Sequence, residues 1–338
     1  MTAGKIFRDR KTNKDFGMKN KRMRLQDIAD KAGVSLTAAS MYLNGKAKKY
    51  NLADATCERI EKVMRKNNFI PNFHARAIAS KQTMLLGVQI YETPDVSFWL
   101  KIISGIEEKI EEEKYHMIFS TSHSSVEKEF ESVKFMMAKG IDGLIIAPTS
   151  RAENSFEYFR KLNKTVPVAT INTKIEGISA AYNDNYHGGR IASEYLVGLG
   201  HRRIAFIGNS TLKRAQAFSD VMRESKIKPA FFPNVSSFIQ ETGRFTAVFC
   251  FSDFQLLELY DEAAVRGIKI PDDISVVGYD NMDFVKFLSP VPSTVDQYKR
   301  EIGTAAAEIV MARIKGRSVI PDKIFKPILR EGGSVRKI

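Results

Sequence analysis

Leu25-Gln-Asp-Ile-Ala-Asp-Lys-Ala-Gly-Val-Ser-Leu-Thr-Ala-Ala-Ser-Met-Tyr-Leu-Asn-Gly45 sets the architecture of the first quarter of the chain. Leu25, Ile28, Ala29 and Ala32 recur at helical spacing and predict a short helix with one buried face. Gly33 suits the left-handed conformation that ends such a helix, and Ser35 can cap a second one running to Asn44. On that second helix Leu36, Ala39 and Leu43 form the stripe expected to pack, while Thr37, Ser40, Met41 and Asn44 share the opposite face. Two short helices joined by a tight Ala-Gly-Val-Ser turn predict a helix-turn-helix, whose second helix enters the major groove of DNA. A third helix, Asp54 to Lys66, offers Cys57, Ile60, Val63 and Met64 to close a three-helix core.

The charge is concentrated in the same region. The 338 residues include 52 Lys or Arg and 39 Asp or Glu; 19 of these bases and 7 of the acids fall within residues 1–81, a net +12, and the rest of the chain is at +1. A basic module on a neutral body meets a polyanion through the module, nucleic acid first and an anionic membrane surface second. Residues 1–24 carry nine Lys or Arg with few apolar residues, the composition of a flexible arm that either solubilises or contacts phosphates. No apolar run approaches the roughly 18 residues of a membrane span. Cys57 and Cys250 cannot make a disulfide framework. With no apolar stretch behind the basic amino terminus, the expectation is a cytoplasmic protein without a secretory signal.

From Met84 onward, strand-like runs alternate with helical patterns: 84–90, a helix at about 99–114, 115–120, a helix to 139, 141–147, a helix near 154–163, then 166–171. A second series follows, with helices at 188–199, 214–224 and 255–266 and strands at 204–208, 246–251 and 274–278. Such βαβ alternation predicts parallel sheets covered by helices, built as two lobes with a ligand cleft at the carboxyl ends of the strands.

The opening stretch, with Thr56-Cys-Glu-Arg-Ile60 and Phe69-Ile-Pro-Asn-Phe-His-Ala-Arg-Ala-Ile-Ala-Ser-Lys81, resembles the LacI/GalR family of bacterial transcription regulators. The resemblance runs to about Val335 through Ile141-Asp-Gly-Leu-Ile-Ile146, Asp184-Asn185 with Gly188-Gly189, Gly200-His-Arg-Arg-Ile-Ala-Phe-Ile-Gly208, Pro271-Asp-Asp-Ile-Ser-Val-Val-Gly-Tyr-Asp280 and Pro292-Ser-Thr-Val-Asp-Gln297. It implies an N-terminal all-α helix-turn-helix domain plus an α/β two-lobed periplasmic-binding-protein type I-like domain. The implied division is a basic arm at 1–24, the helix-turn-helix domain at 25–70, a hinge segment at 71–83 and the lobed effector-binding and dimerisation domain at 84–338. Its first lobe would take about 84–183 and 294–320, its second about 184–293 and 321–335.

The resemblance also implies DNA contacts by Ser35, Leu36, Thr37, Ala38, Ser40, Met41 and Asn44, and by Lys48 and Lys49 in a basic loop longer than the family's usual one. A hinge helix that forms on DNA would push Ile78, beside His74 and Ala75, into the minor groove. Effector contacts map onto Phe98 or Trp99, Asn172, Arg214, Asp253, Asp280 and Gln297, a set suited to a sugar-like ligand. Structural roles fit as well: Asp280 bracing a turn, Phe98 in the core, Arg214 paired with an exposed carboxylate. About two residues are missing after Asp95, and some 15 between Arg214 and Thr246, so the pocket is expected to be remodelled or absent.

The expected function is a regulator, a repressor before an activator, binding a double-stranded, pseudo-palindromic operator as a homodimer or higher oligomer under a small-molecule effector. No cofactor, metal or membrane partner is expected, and no enzymatic activity. Gly198-Leu-Gly200 lacks the third glycine of a dinucleotide loop, and His74, His116, His123, His187 and His201 lack metal-ligand spacing. The alternative is a solute-binding or enzymatic two-lobed protein with a non-regulatory basic amino terminus. Many family members carry Arg where this chain has Met41, and Met cannot make the bidentate contact to guanine O6 and N7. Met41→Arg is therefore expected to shift operator preference in a selected-site assay, and an identical site profile would place Met41 off the bases.

Overall fold

The computed structural model describes residues 23–70, 82–91, 96–318 and 320–338, which fall into two units divided after Thr83. Residues 1–22 of the expected arm, and the expected wedge residues His74, Ala75 and Ile78, lie outside the described residues.

The first unit contains α1 (Leu25–Ala32), α2 (Leu36–Leu43) and α3 (Asp54–Lys66), with a short 3-10 turn at Lys48–Tyr50. Gly33 adopts φ +63° and donates its N–H to Asp30 O, while the Val34 N–H returns to Ala29 O. These bonds satisfy carbonyls left open at the end of α1. Ile28, Ala32 and Ile60 form the buried centre, closed by Met23, Val34, Tyr42, Leu52, Val63, Met64 and Phe69. The expected packing stripe of α2 needs correction: Ala39 is buried, but Leu36 is 45% exposed and Tyr42 takes its place against the core. A core of three small helices is narrow, and the first turn of α2 lies beyond its edge.

The second unit holds two six-stranded sheets. The first is built from β1 (Leu85–Ile90), β2 (His116–Thr121), β3 (Gly143–Ile146), β4 (Val168–Ile171), β5 (Ser179–Asn183) and β11 (Lys323–Phe325), all parallel, in the order β11-β5-β4-β3-β1-β2. Helices α4 (Val96–Glu112), α5 (Val126–Ala138) and α6 (Glu153–Leu162) connect its strands. The second sheet holds β6 (Ile204–Ile207), β7 (Ala230–Phe232), β8 (Ala247–Cys250), β9 (Ser275–Asp280), β10 (Ser293–Asp296) and β12 (Ile328–Arg330) in the order β12-β10-β9-β8-β6-β7. Only β12 runs antiparallel in it. Helices α7 (Asn185–Gly198), α8 (Lys213–Glu224), α9 (Val235–Ile239) and α10 (Asp253–Arg266) belong to this lobe, and α11 (Lys299–Ile314) returns to the first. Strand interiors such as Leu144, Ile145 and Ile146 are fully buried, as strands covered on both faces must be.

The lobe boundaries differ from those expected. Residues 294–296 belong to β10 and pair with β9 of the second sheet, whereas 323–325 form β11 and pair with β5 of the first. The chain therefore crosses between lobes after Asn183, after Asp296 and after Phe325. Short strands at or next to a sheet edge take their sheet from backbone pairing partners, which local patterning does not specify.

Helix α11 explains how the first lobe closes. It buries Ile302, Ala305, Ala306, Ala307, Ile309 and Val310, and so is apolar around most of its circumference. It meets α4 through glycines: a Cβ on Gly303 would run into the Ile102 carbonyl, and one on Gly105 into the Arg300 carbonyl. Backbone atoms cannot step aside as a side chain can. Gly303→Ala is expected to destabilise the lobed unit by about 1–3 kcal/mol, and a urea midpoint equal to that of the unsubstituted protein would contradict so close an approach.

Candidate functional site

In the first unit, the capping of α2 fixes what it presents. Ser35 Oγ accepts from the Ala38 N–H at 3.1 Å, as the sequence predicts. Leu36 and Thr37 are exposed, while Ala38, Ser40 and Met41 are half-buried. Asn44 Nδ2 donates back to Ser40 O at 2.8 Å and lies 3.3 Å from Ser40 Oγ, so these two side chains engage each other at the carboxyl end of α2. Lys46, Lys48 and Lys49 are exposed on the following turn, with no ion pair among the described residues. The face is thus a small polar and apolar stripe flanked by unpaired cations. Such a surface can hydrogen-bond and pack in a groove while lysines neutralise phosphates.

In the second unit, a cavity of about 510 Å³ lies between the lobes. Tyr91, Phe98, Arg151 and Asn172 line it from the first lobe; Asn185, Leu212, Lys213, Arg214, Phe251, Ser252, Phe254 and Asp280 line it from the second, and Gln297 from the crossover. Its centre is Arg214, nine-tenths buried. Nε donates to Asn185 Oδ1 at 2.9 Å and Nη1 to Phe251 O at 2.8 Å. The guanidinium carbon sits 3.6 Å from the Tyr279 ring centroid and 4.6 Å from that of Phe251. Asp280 lies 3.7 Å from Nη1, accepts from Gln297 Nε2 through its side chain, and accepts from Lys299 Nζ through its carbonyl. Gln297 Oε1 in turn accepts from Asn183 Nδ2 at 2.7 Å.

Glycine permits this placement. A Cβ on Gly189 would come within 2.6 Å of Arg214 O and 2.8 Å of its Cα, so α7 and α8 approach closely enough to present Arg214 only because residue 189 has none. Asp280 holds φ +113°, a costly conformation for a residue with a side chain, and the surrounding bonds keep it there.

A family model described as bacterial regulatory proteins, lacI family, matches residues 24–72, and one described as a periplasmic binding protein-like domain matches residues 193–335. Residues 24–72 thus carry a lacI-family domain, followed by a periplasmic binding protein-like one. Among curated relatives, the HTH-type transcriptional repressor PurR of Vibrio atlanticus is 28% identical over 313 residues, covering 87% of this chain and 92% of that protein. The ribose operon repressor of Haemophilus influenzae is 26% identical over 329 residues, covering 91% and 95%. The solved lac repressor dimer bound to operator and the anti-inducer ONPF has the same fold, with a TM-score of 0.83 at 23% identity, over 94% of this chain and all of that one.

The expected effector residues divide. Phe98, Asn172, Arg214, Asp280 and Gln297 line the cavity. Trp99 does not: it is 2% exposed, packed edge-on against Tyr91 at 5.1 Å and Phe98 at 5.4 Å in the first lobe's core. Asp253 is also corrected, being fully buried outside the lining, where it accepts from the Met282 N–H at 2.9 Å and from Thr294 Oγ1 at 2.7 Å. Burial, reinforced by Asp280, pushes its carboxyl up to about 7. It braces the turn after β9 rather than facing a ligand. The notion of Arg214 pairing with an exposed carboxylate is likewise replaced by its contact with buried Asp280.

Sequence reasoning missed Tyr91, Arg151, Asn185, Leu212, Lys213, Phe251, Ser252 and Phe254. Most of these follow the carboxyl end of a strand or start a helix, the signal by which they were findable. The shortened segment between Arg214 and Thr246 still supplies edge strand β7 and the brief α9, and the cavity persists. No group of three or more metal-ligating side chains occurs among the described residues, and none of their helices is long and apolar enough to cross a membrane. Because Arg214 and Asp280 are both largely buried, Arg214→Ala leaves a carboxylate without its cation. The expected loss is about 3–5 kcal/mol, read from urea unfolding of the lobed unit, and a loss below about 1 kcal/mol would show that the pair is effectively solvated.

Proposed function

We propose that this chain represses transcription as a homodimer, reading a pseudo-palindromic operator with paired copies of α2 and changing its hold on DNA when a small molecule enters the interlobe cleft. The carrying observation is the capped, outward face of α2, with Leu36 and Thr37 exposed beside unpaired Lys48 and Lys49, within the segment matched by the lacI-family model. Two-fold symmetry in the protein calls for two-fold symmetry in the site. Ser35, Leu36, Thr37, Ala38 and Met41 approach bases and backbone, and the lysines approach phosphates. Ser40 and Asn44 contribute less to reading, since they bond each other. We propose further that the segment 71–83 serves as the hinge, with Ile78 entering the minor groove and His74 and Ala75 beside it.

The named repressor relatives and the operator-bound lac repressor dimer support DNA binding as a dimer, and a ribose-bound LacI-family regulator and a cellobiose-bound transcriptional regulator of similar fold support a small-molecule effector. A DNA target also favours a cytoplasmic location. Phe98, Asn172, Arg214, Asp280 and Gln297 hold the effector. An effector shifts DNA affinity only to the extent that it binds the two lobe arrangements unequally. The test is selection of duplex sites by the purified full-length protein. An enriched inverted repeat, bound with at least tenfold preference over random duplex and losing affinity steeply as salt rises, is expected. No enrichment, or a monomer at working concentration, would defeat the reading.

A further inference from the structure

The cleft carries positive charge that the Arg214 network leaves unused. Arg151, on the loop after β3, and Lys213, the first residue of α8, both line the cavity and are exposed. Neither side chain has an ion pair or hydrogen bond among the described residues. Among the described residues the lining has one carboxylate, Asp280, already engaged by Arg214 and Gln297. Among the described lining residues three cations therefore face one anion, an excess of two positive charges.

The helix start at Lys213 adds to this. Helices α7 and α10 also begin at the cleft, but Asp184 and Ser252 cap them internally. Helix α8 has no side-chain cap and no acidic residue in its first turn, so its first N–H groups lack an internal acceptor where Lys213 enters the cavity wall. From the first lobe, the charge of Arg151 reaches Tyr91, where it opposes the upward push that burial gives the phenol. A separate polar anchor is the half-buried Asn172, whose Oδ1 atom is out of solvent with no hydrogen-bond partner among the described residues. Phe98, Phe251 and Phe254 supply flat apolar surface beside these groups.

We propose that the effector is a phosphorylated polyhydroxylated ring, its phosphate monoester held by Lys213 at the start of α8 and by Arg151 from the facing lobe. This rests on the cleft being the effector site, as proposed above. The ring lies on the phenylalanines, with its hydroxyls on Asn172, Gln297 and Asp280. A phosphate dianion matches the two spare charges, a carboxylate supplies half of that, and an uncharged sugar gains no charge-assisted bond from either cation. Because Arg151 and Lys213 belong to different lobes, the phosphate also draws the lobes together, which gives ligand binding its mechanical effect.

Calorimetric titration of the full-length protein tests this with glucose 6-phosphate, fructose 6-phosphate and ribose 5-phosphate, their parent sugars, glucuronate, adenine and inorganic phosphate. At least one sugar phosphate is expected to bind tenfold or more tightly than its parent sugar and than inorganic phosphate, with affinity falling as salt rises. Lys213→Ala and Arg151→Ala should each weaken it by about tenfold, while Lys134→Ala, exposed on α5, should not. Equal or tighter binding of a parent sugar, adenine or glucuronate, or no binding by any sugar phosphate, overturns the proposal. Operator selection by the same preparation separates the two readings: its absence sinks the regulator itself, and its presence with a neutral ligand sinks only the phosphate.

Discussion

The cleft depends on one buried arrangement, the Arg214 guanidinium stacked on Tyr279 and held beside Asp280. A cation and a carboxylate this deeply placed would each be costly alone, so both must be fully engaged. They are, by acceptors at Asn185 and Phe251 for the arginine and by donors at Gln297 and Lys299 for Asp280. Through Gln297 the same chain of bonds reaches Asn183 at the end of β5, so the polar floor of the cleft is also a tie between the two lobes. A ligand touching Asp280 or Gln297 thus perturbs a connection between bodies, which is what an effector must do to alter anything distant.

The molecule separates its tasks by physical character. The first unit has a small core, Ile28, Ala32 and Ile60 with their neighbours, and spends much of its surface on exposed lysines. The second is nearly neutral overall and buries continuous apolar strands. Placing almost all the excess charge on the module that meets a polyanion keeps the lobed body free to respond to a small ligand without being held to DNA by bulk electrostatics.

Much of this was legible in particular residues. Ser35 and Gly33 announced the ends of two helices because capping and left-handed geometry are local demands, and both do what their identity suggests. The βαβ alternation announced two parallel sheets for a similar reason: period and turn chemistry operate within a few residues. Leu36 misled because a stripe on an eight-residue helix is wider than the core it meets. Helix α11 gave little amphipathic signal because most of its circumference is buried, leaving only a narrow exposed stripe through Glu301 and Glu308. Asp253 and Trp99 show the same limit at the cleft. Neighbours of lining residues in sequence, they lie outside the lining in space, one bracing a backbone turn and the other filling a core.

What the sequence determined by itself was the local grammar: where helices start and stop, which runs are strands, where the charge lies, and which motifs link the chain to its family. Each depends on interactions spanning a few residues. Tertiary structure alone decided which sheet β10 and β11 join, which of two adjacent aromatics faces the cleft, and that Arg151 and Lys213 share one cavity. Those outcomes come from backbone pairing and packing between segments tens to more than a hundred residues apart, and no local pattern encodes the meeting of such distant parts.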